Sequence, residues 1–415
     1  MIDHIFAGFG FGPIQSGLFV DEAYASSNFS RIVVAETDQR LVDAVRANGG
    51  SYSVNVARKD RIDVVNIHNI ELLNPTIESE RNKLIEALSQ STEIVTSLPS
   101  VAFYESGANS VASLIAQGLQ NRSSDAAIIY TAENNNHAAE ILEKAVAAKI
   151  GDSIPKRVQF LNTVIGKMSQ VVTDPAEISQ KKLAPIAPGI NRAFLVEEFN
   201  RILVTRCTID DFTPGIKVFI EKDDLLPFEE AKLYGHNAIH ALLAYLGAVK
   251  GYSKMTELKN DASIKTIAER AFLNESGAAL IKKYGGLGDE LFTAAGYRSF
   301  AFDLLERMTN PFLSDTIERA GRDPLRKLAL NDRIFGTMAL ALEQGIEPAN
   351  MAIGALAGIK TLLKNAEINK VPAAMRCDLS DLDAAKLKSI CEWLWRSKSG
   401  PYADKMIKYV QRAGL

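Results

Sequence analysis

Two periodicities alternate along the first half of this chain, and only one of them continues into the second. Short β-rich runs stand at 4–10 (HIFAGFG), 31–36 (RIVVAE), 93–98 (EIVTSL) and 126–132 (AAIIYTA). Between them lie segments with the apolar spacing of helices, at 14–26, 38–48, 111–122 and 137–150. Such alternation predicts βαβ units and a mainly parallel sheet, with 156–168 and 192–199 as further strands around its far edge. The Pro-, Ala- and Gly-rich stretch 173–191 reads as a connecting loop. Beyond residue 222 the strand signal ends. Helical patterns follow at 225–249, 262–284, 288–309, 332–344, 349–366, 380–397 and 402–413. The expectation is an α/β N-terminal domain over 1–205 and an all-α C-terminal domain over 206–415, a nucleotide-binding domain followed by a substrate domain.

Composition narrows the partners. A chain of 415 residues, 47% hydrophobic and 23% charged, has material for two ordinary globular cores. A net charge of −3 supplies no field to capture nucleic acid or a membrane surface, which leaves a small molecule as the expected partner. Cys207, Cys377 and Cys391 are scattered and odd in number, which argues for a reducing compartment. No segment is apolar for long enough to span a bilayer, and the N-terminus has no basic region or cleavage-like site. A cytoplasmic location is expected.

The first chemical signal is the turn IFAGFGFGPIQSG, with Gly8, Gly10 and Gly12 after a strand and Pro13 opening a helix. Glycines there allow a tight bend and close approach of backbone N–H groups to a pyrophosphate, and the helix N-terminus favours its charge. The third glycine comes one place earlier than in the usual G-x-G-x-x-G. Glu36 ends the second strand, where a carboxylate accepts hydrogen bonds from an adenosine ribose and repels a 2′-phosphate. The pattern predicts a Rossmann-type domain that binds NAD rather than NADP. The alternative for Glu36 is a solvated strand end beside a helix cap at Asp38.

The second signal is the helix EEAKLYGHNAIHALLAYLG, Glu229 to Gly247. Its first half carries Lys232, His236, Asn237 and His240, polar groups that are costly in a core helix unless each finds a partner or a ligand. On an ideal α-helix Lys232, His236 and His240 share a face, with Asn237 on its flank. Three readings are open. His236 and His240 could reach a metal ion, although no third ligand and no HExxH glutamate is evident. The patch could be structural. Or a desolvated Lys232 could act as a general base, with an amide and an imidazole donating to an oxygen that gains charge.

Lys232-x4-Asn237-x2-His240 resembles the signature of the polyol-specific long-chain dehydrogenases, with the mannitol-1-phosphate 5-dehydrogenase branch the nearest. ESGAALIKKYG at 275–285, NPFLSDTIERAGRDPLRKLALNDRIFG at 310–336, VEEF at 196–199 and AEN at 132–134 carry the same resemblance. It implies a metal-free hydride transfer with NAD on a polyol or polyol phosphate. Lys232 would be the general acid/base, Asn237 and Asn134 would hold the carbinol oxygen, and His240 would hold the substrate. Asn135 and Asn136 stand beside Asn134 as near equivalents. Glu229 or Glu230 could relay the proton to solvent. Arg322, Arg326 and Lys327 fall within six residues and could clamp a phosphate, where a charge run otherwise reads as a solvated face.

There are departures. Gly166 and Lys167 stand where the family has Asp followed by Arg, and Ala238-Ile239 replaces its usual Thr-Gly. His236 takes a place that is often apolar. A non-phosphorylated polyol, a sugar acid or a non-catalytic dinucleotide sensor are the competing readings.

Overall fold

A computed structural model describes residues 4–122, 125–151, 154–396 and 400–413. Expectations about the first three residues, and about the last residue of the 380–397 helix, lie outside them. The chain forms two compact units, Met1–Leu226 and Pro227–Leu415.

The first unit is built on β1 (His4–Phe9), β2 (Phe29–Ala35), β3 (Tyr52–Ala57), β4 (Ile62–Ile67), β5 (Ile70–Leu73) and β6 (Glu93–Thr96). It continues with β7 (Ala127–Thr131), β8 (Val158–Ile165), β9 (Ser169–Val172), β10 (Ala193–Glu197), β11 (Ile202–Thr205) and β12 (Phe219–Lys222). An eight-stranded sheet runs β12-β11-β8-β7-β6-β1-β2-β5, and only the β8–β11 pairing in it is antiparallel. Its parallel centre is buried on both faces, so apolar residues occupy successive positions. Phe6, Val34, Val95 and Ile128 enter one core, while Ala7, Val33, Ile94 and Ile129 enter the other. The strand order reverses between β1 and β6, which is where an open α/β sheet offers a crevice at its strand ends.

Three sequence expectations change here. The segment 192–199 does not extend the main sheet's edge. As β10 it pairs in parallel with β3 and antiparallel with β9, in a separate sheet ordered β4-β3-β10-β9. The loop 173–191 contains the helix Pro175–Lys181, with Asp174 accepting from Ala176 N at 3.0 Å. The division between units falls after 226 rather than 205, because 206–226 completes the sheet. There β12 pairs with β11, Ile216 joins the core, and Gly215 N donates to Glu93 Oε1 at 2.5 Å. β12 has only four residues, none of them buried, so it lacks the alternation that marks a strand in sequence.

The regular structure of the second unit is helical among its described residues, apart from one isolated bridge between Lys254 and Thr316. Two expected helices change their winding midway: Ala231–Asn237 and Ala271–Gly277 are π-helical between α-helical flanks. The helix Ala238–Lys250 packs closely on Ala349–Lys364, where a Cβ on Gly354 or Gly358 would come within 2.9 Å of Leu242 or Tyr245. Glu275, in the 275–285 block, caps that second helix by accepting from Asn350 N at 2.6 Å and Met351 N at 2.8 Å. No helix among the described residues is long and apolar enough to cross a membrane.

Candidate active site

In the first unit the glycine turn sits at the reversal of strand order. Gly10 has φ +82°, and a Cβ there would lie 2.8 Å from Ser97 O in the loop after β6, so conformation and space both require glycine. Gly12 has open space where a side chain would stand. Gly8 makes room for its own helix: a Cβ would fall 1.9 Å from Gln15 Nε2. Gln15 is buried, with no hydrogen-bond partner for either amide atom among the described residues, a feature that the sequence reading missed. The helix that enters at Pro13 is π-wound over Gln15–Val20.

Glu36 is tied to this turn. Its Oε2 accepts from Phe11 N at 3.0 Å, and Oε1 accepts from Thr37 N and Asp38 N at 2.7 and 2.8 Å. Asp38 also caps the next helix, accepting from Leu41 N at 3.3 Å, so the two residues do separate work.

At the end of β7, Glu133 is buried and accepts from Thr96 Oγ1 and Leu98 N, both at 2.9 Å, and from Tyr104 OH. Burial raises its pKa against these donors. It fixes the 96–104 loop, a role that the AEN motif does not announce. Asn134 follows it and is exposed, whereas Asn135 accepts from His137 N at 2.8 Å within the turn. Lys167 is buried and donates to Asn200 Oδ1, and Asn200 donates to Glu22 of the first helix. The Gly166-Lys167 departure thus places a cation beside Asp21 and Glu22, whose acidity is weakened chiefly by burial.

In the second unit, the π turn explains the spacing of the opening helix motif. A π turn bonds i to i+5 and so widens the winding between Lys232 and Asn237. One α turn further on comes His240. Lys232, Asn237 and His240 each keep partial solvent access, while His236 is only 6% exposed. The expected Lys232–His236–His240 face is therefore not formed. Burial, followed by Arg307, drives the His236 pKa well below its ordinary value, so it packs as a neutral ring. Among the described residues no group of three or more His, Cys, Asp or Glu could hold a metal ion.

The π turn is wedged from two sides. Thr337 Oγ1 lies 3.2 Å from Tyr234 O and also donates to Arg333 O. A Cβ on Gly235 would come 2.8 Å from Tyr297 Oη. Lys232 is pushed down to about 8, first by burial and then by Arg333, against the opposing pull of Glu229. Glu230, the other relay candidate, is bound to Lys283 and to Tyr284 OH, at 2.8 and 2.7 Å.

His240 has an anchor that the motif does not reveal. Its Nε2 is 3.0 Å from Oδ2 of Asp315, a carboxylate only 2% exposed, whose Oδ1 accepts from Arg319 Nε at 2.6 Å. Burial works against the Asp315 charge, but His240 and Arg319 overcome it and hold the group at about 2.

The three predicted cations divide. Arg322 and Arg326 are exposed, and Arg326 pairs with Asp323 at 3.0 Å. Lys327 is buried, donates to Ala320 O at 2.5 Å and is pushed down to about 8 by burial and then by Arg333, Arg326 and Arg322. The structure adds Arg333, which pairs with Asp332 at 2.6 Å and which the sequence reading passed over. Tyr245 OH is buried near the same charges and has no hydrogen-bond partner among the described residues.

Residues 224–376 match the model of the mannitol dehydrogenase C-terminal domain. A mannitol-1-phosphate 5-dehydrogenase of Buchnera aphidicola subsp. Acyrthosiphon pisum, strain APS, is 28% identical over 397 residues, covering 94% of either chain. Its strain Tuc7 counterpart is 28% identical over 400 residues, with the same coverage. Among solved structures, a substrate-free D-sorbitol dehydrogenase superposes with a TM-score of 0.76 at 15% identity, over 99% of this chain and 92% of its own. Pseudomonas fluorescens mannitol 2-dehydrogenase, in ternary complex with NAD and D-mannitol, gives 0.66 at 17% identity, over 99% and 91%. These two likenesses concern the fold. The chain is thus a Rossmann-type α/β unit followed by a helical unit, and the helical unit carries the match to the mannitol dehydrogenase C-terminal domain.

Proposed function

We propose that the chain is an NAD-dependent dehydrogenase that interconverts an acyclic polyol phosphate and the corresponding ketose phosphate. The observation that carries this reading is Lys232, poised at about 8 on a π turn with Asn237 and His240 beside it in the winding. The named activity of the full-length relatives supports the phosphorylated substrate, and the NAD of the mannitol 2-dehydrogenase complex supports the cofactor.

The first unit fits that cofactor. Gly10, Gly12 and the helix entering at Pro13 would receive the pyrophosphate, and Glu36 would receive the ribose hydroxyls and repel a 2′-phosphate. When bound, NAD accepts the hydride that leaves the carbinol carbon. Lys232 takes the hydroxyl proton at Nζ in oxidation and returns it in reduction. Asn237 and Asn134 donate hydrogen bonds to the alkoxide as it forms. Asp315 orients the His240 ring, which positions the substrate. Arg322, Arg326 and Lys327 receive the phosphate.

Oxidation needs the neutral amine, so its rate rises as pH passes through about 8, and reduction falls over the same range. The test is a panel of polyol phosphates, free polyols and sugar acids, read at the NADH absorbance for the wild type and for Lys232→Ala. Turnover of polyol phosphates, lowered by about 10²–10⁴ in the variant while NAD still binds, is the expected result. Near-normal turnover of Lys232→Ala would remove the lysine from the mechanism. Turnover of sugar acids alone would favour the reading prompted by Gly166, and NAD binding without turnover would favour a sensor.

A further inference from the structure

The chain leaves β7 through Glu133, whose side chain turns to the neighbouring strand β6. Its Oε1 accepts from Leu98 N at 2.9 Å, and its Oε2 accepts from Thr96 Oγ1 at 2.9 Å and from Tyr104 OH. Main-chain bonds hold the end of β6 up to that point. Ala132 N donates to Thr96 O at 2.9 Å, and Ser97 N donates to Phe9 O at 3.1 Å. Past Ser97 the ladder ends, and the next N–H, that of Leu98, goes to the Glu133 carboxylate.

The peptide held in this way abuts the glycine turn. Ser97 O lies 2.8 Å, and Leu98 Cδ2 3.3 Å, from where a Cβ on Gly10 would stand. Glu133 therefore meets two parts of the strand-end crevice of the first unit. Its side chain fixes the peptide that rests on Gly10, and its main chain leads directly into Asn134, in a turn that Asn135 N closes on Glu133 O at 2.8 Å. The residue is only 5% exposed, and its three partners are neutral donors. A carboxylate buried among neutral donors costs stability that an apolar side chain would not. Packing alone does not account for it.

We propose that Glu133 is a positioning residue: by tying the 97–98 peptide to the end of β7, it fixes the spacing between the glycine turn and Asn134. The inference rests on the polyol-phosphate reading, in which Gly10 receives the cofactor and Asn134 the carbinol oxygen, and it deepens that reading. The tie and the bound cofactor support each other, because a loop already ordered against Gly10 need not be ordered on binding.

Two substitutions separate the tie from the packing. A glutamine still offers its carbonyl oxygen to Leu98 N, while its NH2 group donates to the hydroxyls of Thr96 and Tyr104, which rotate to accept. A leucine is of similar bulk and accepts nothing. In the full chain, Glu133→Leu is expected to raise the NAD dissociation constant and to lower kcat on polyol phosphates by at least about tenfold each. Glu133→Gln stays within about threefold of the wild type in both. Amide hydrogen exchange on the wild type covers a Glu133→Leu chain that does not fold: NAD is expected to slow exchange of the Leu98 N–H by at least about tenfold. An unchanged Leu98 rate, a folded Glu133→Leu with wild-type NAD affinity and kcat, or a Glu133→Gln as impaired as Glu133→Leu would overturn the tie. The NAD titration and the exchange need no polyol, so their failure is distinct from a failure to oxidise polyol phosphates.

Discussion

His240 depends on a carboxylate that water scarcely reaches. Asp315 is held at about 2, below the ordinary value of about 3.9 for an unfolded chain. A depressed acid contributes stability that is full above the unfolded pKa and is lost as pH falls through the folded one. Asp315→Asn is therefore expected to cost about 2–3 kcal/mol near neutral pH, with the gap to the wild type closing between about pH 4 and pH 2. Urea unfolding at the two ends of that range checks it. If the ring's role is orientation, KM for the polyol rises more than kcat falls. In the first unit, Glu36→Ala removes the acceptor for Phe11 N and, on the proposed reading, the charge set against a 2′-phosphate. Discrimination between NAD and NADP is expected to fall by about tenfold, or 1.4 kcal/mol, in paired binding titrations. Lys232, Asn237 and His240 were singled out as candidates by the motif, and Glu36 by its distance beyond the glycines. Asp315, Glu133, Gln15 and Arg333 were not: the first two act through contacts far away in sequence, and none of the four has a spacing of its own.

At the scale of elements, the least legible feature was the winding. Residues 225–249 carry a helical apolar pattern, and nothing in that pattern separates a π turn from an α turn. The difference matters, because in this winding Asn237 shares partial solvent access with the lysine while His236 is buried. Gly235 is the device that permits it, with Tyr297 Oη filling the space where a Cβ would stand. Gly235→Ala is expected to push this turn back towards α winding and lower kcat by at least tenfold while the protein stays folded. Tyr297→Phe in the same chain should restore part of the loss by removing the obstructing oxygen, although it also gives up the 3.0 Å contact with Ser276 Oγ. Additive losses in the double variant would show that the clash is not what sets the turn. The second sheet was hidden for a related reason: a parallel β3–β10 pairing joins strands about 140 residues apart, and periodicity carries no information about which strand pairs with which.

At the scale of the whole molecule, the question is where one folding unit ends. A reading by strand signal placed the boundary after 205, but the 206–226 segment completes the first unit. It supplies β12, buries Ile216, seats the Phe219 ring 4.5 Å from Tyr130, and satisfies one oxygen of the buried Glu93 through Gly215 N. Removing it would uncover the Tyr130 face of the core and strand the Glu93 carboxyl, which burial already pushes up to about 7. A fragment ending at Leu226 is therefore expected to unfold cooperatively on heating and to retain NAD binding within about threefold of the full chain, a difference under 1 kcal/mol. One ending at Thr205 should aggregate or melt without a transition. Calorimetry and NAD titration of the two fragments decide it. If the shorter one melts as sharply and as high, 206–226 is a linker that merely rests on the sheet, and the first unit ends where the sequence alone places it.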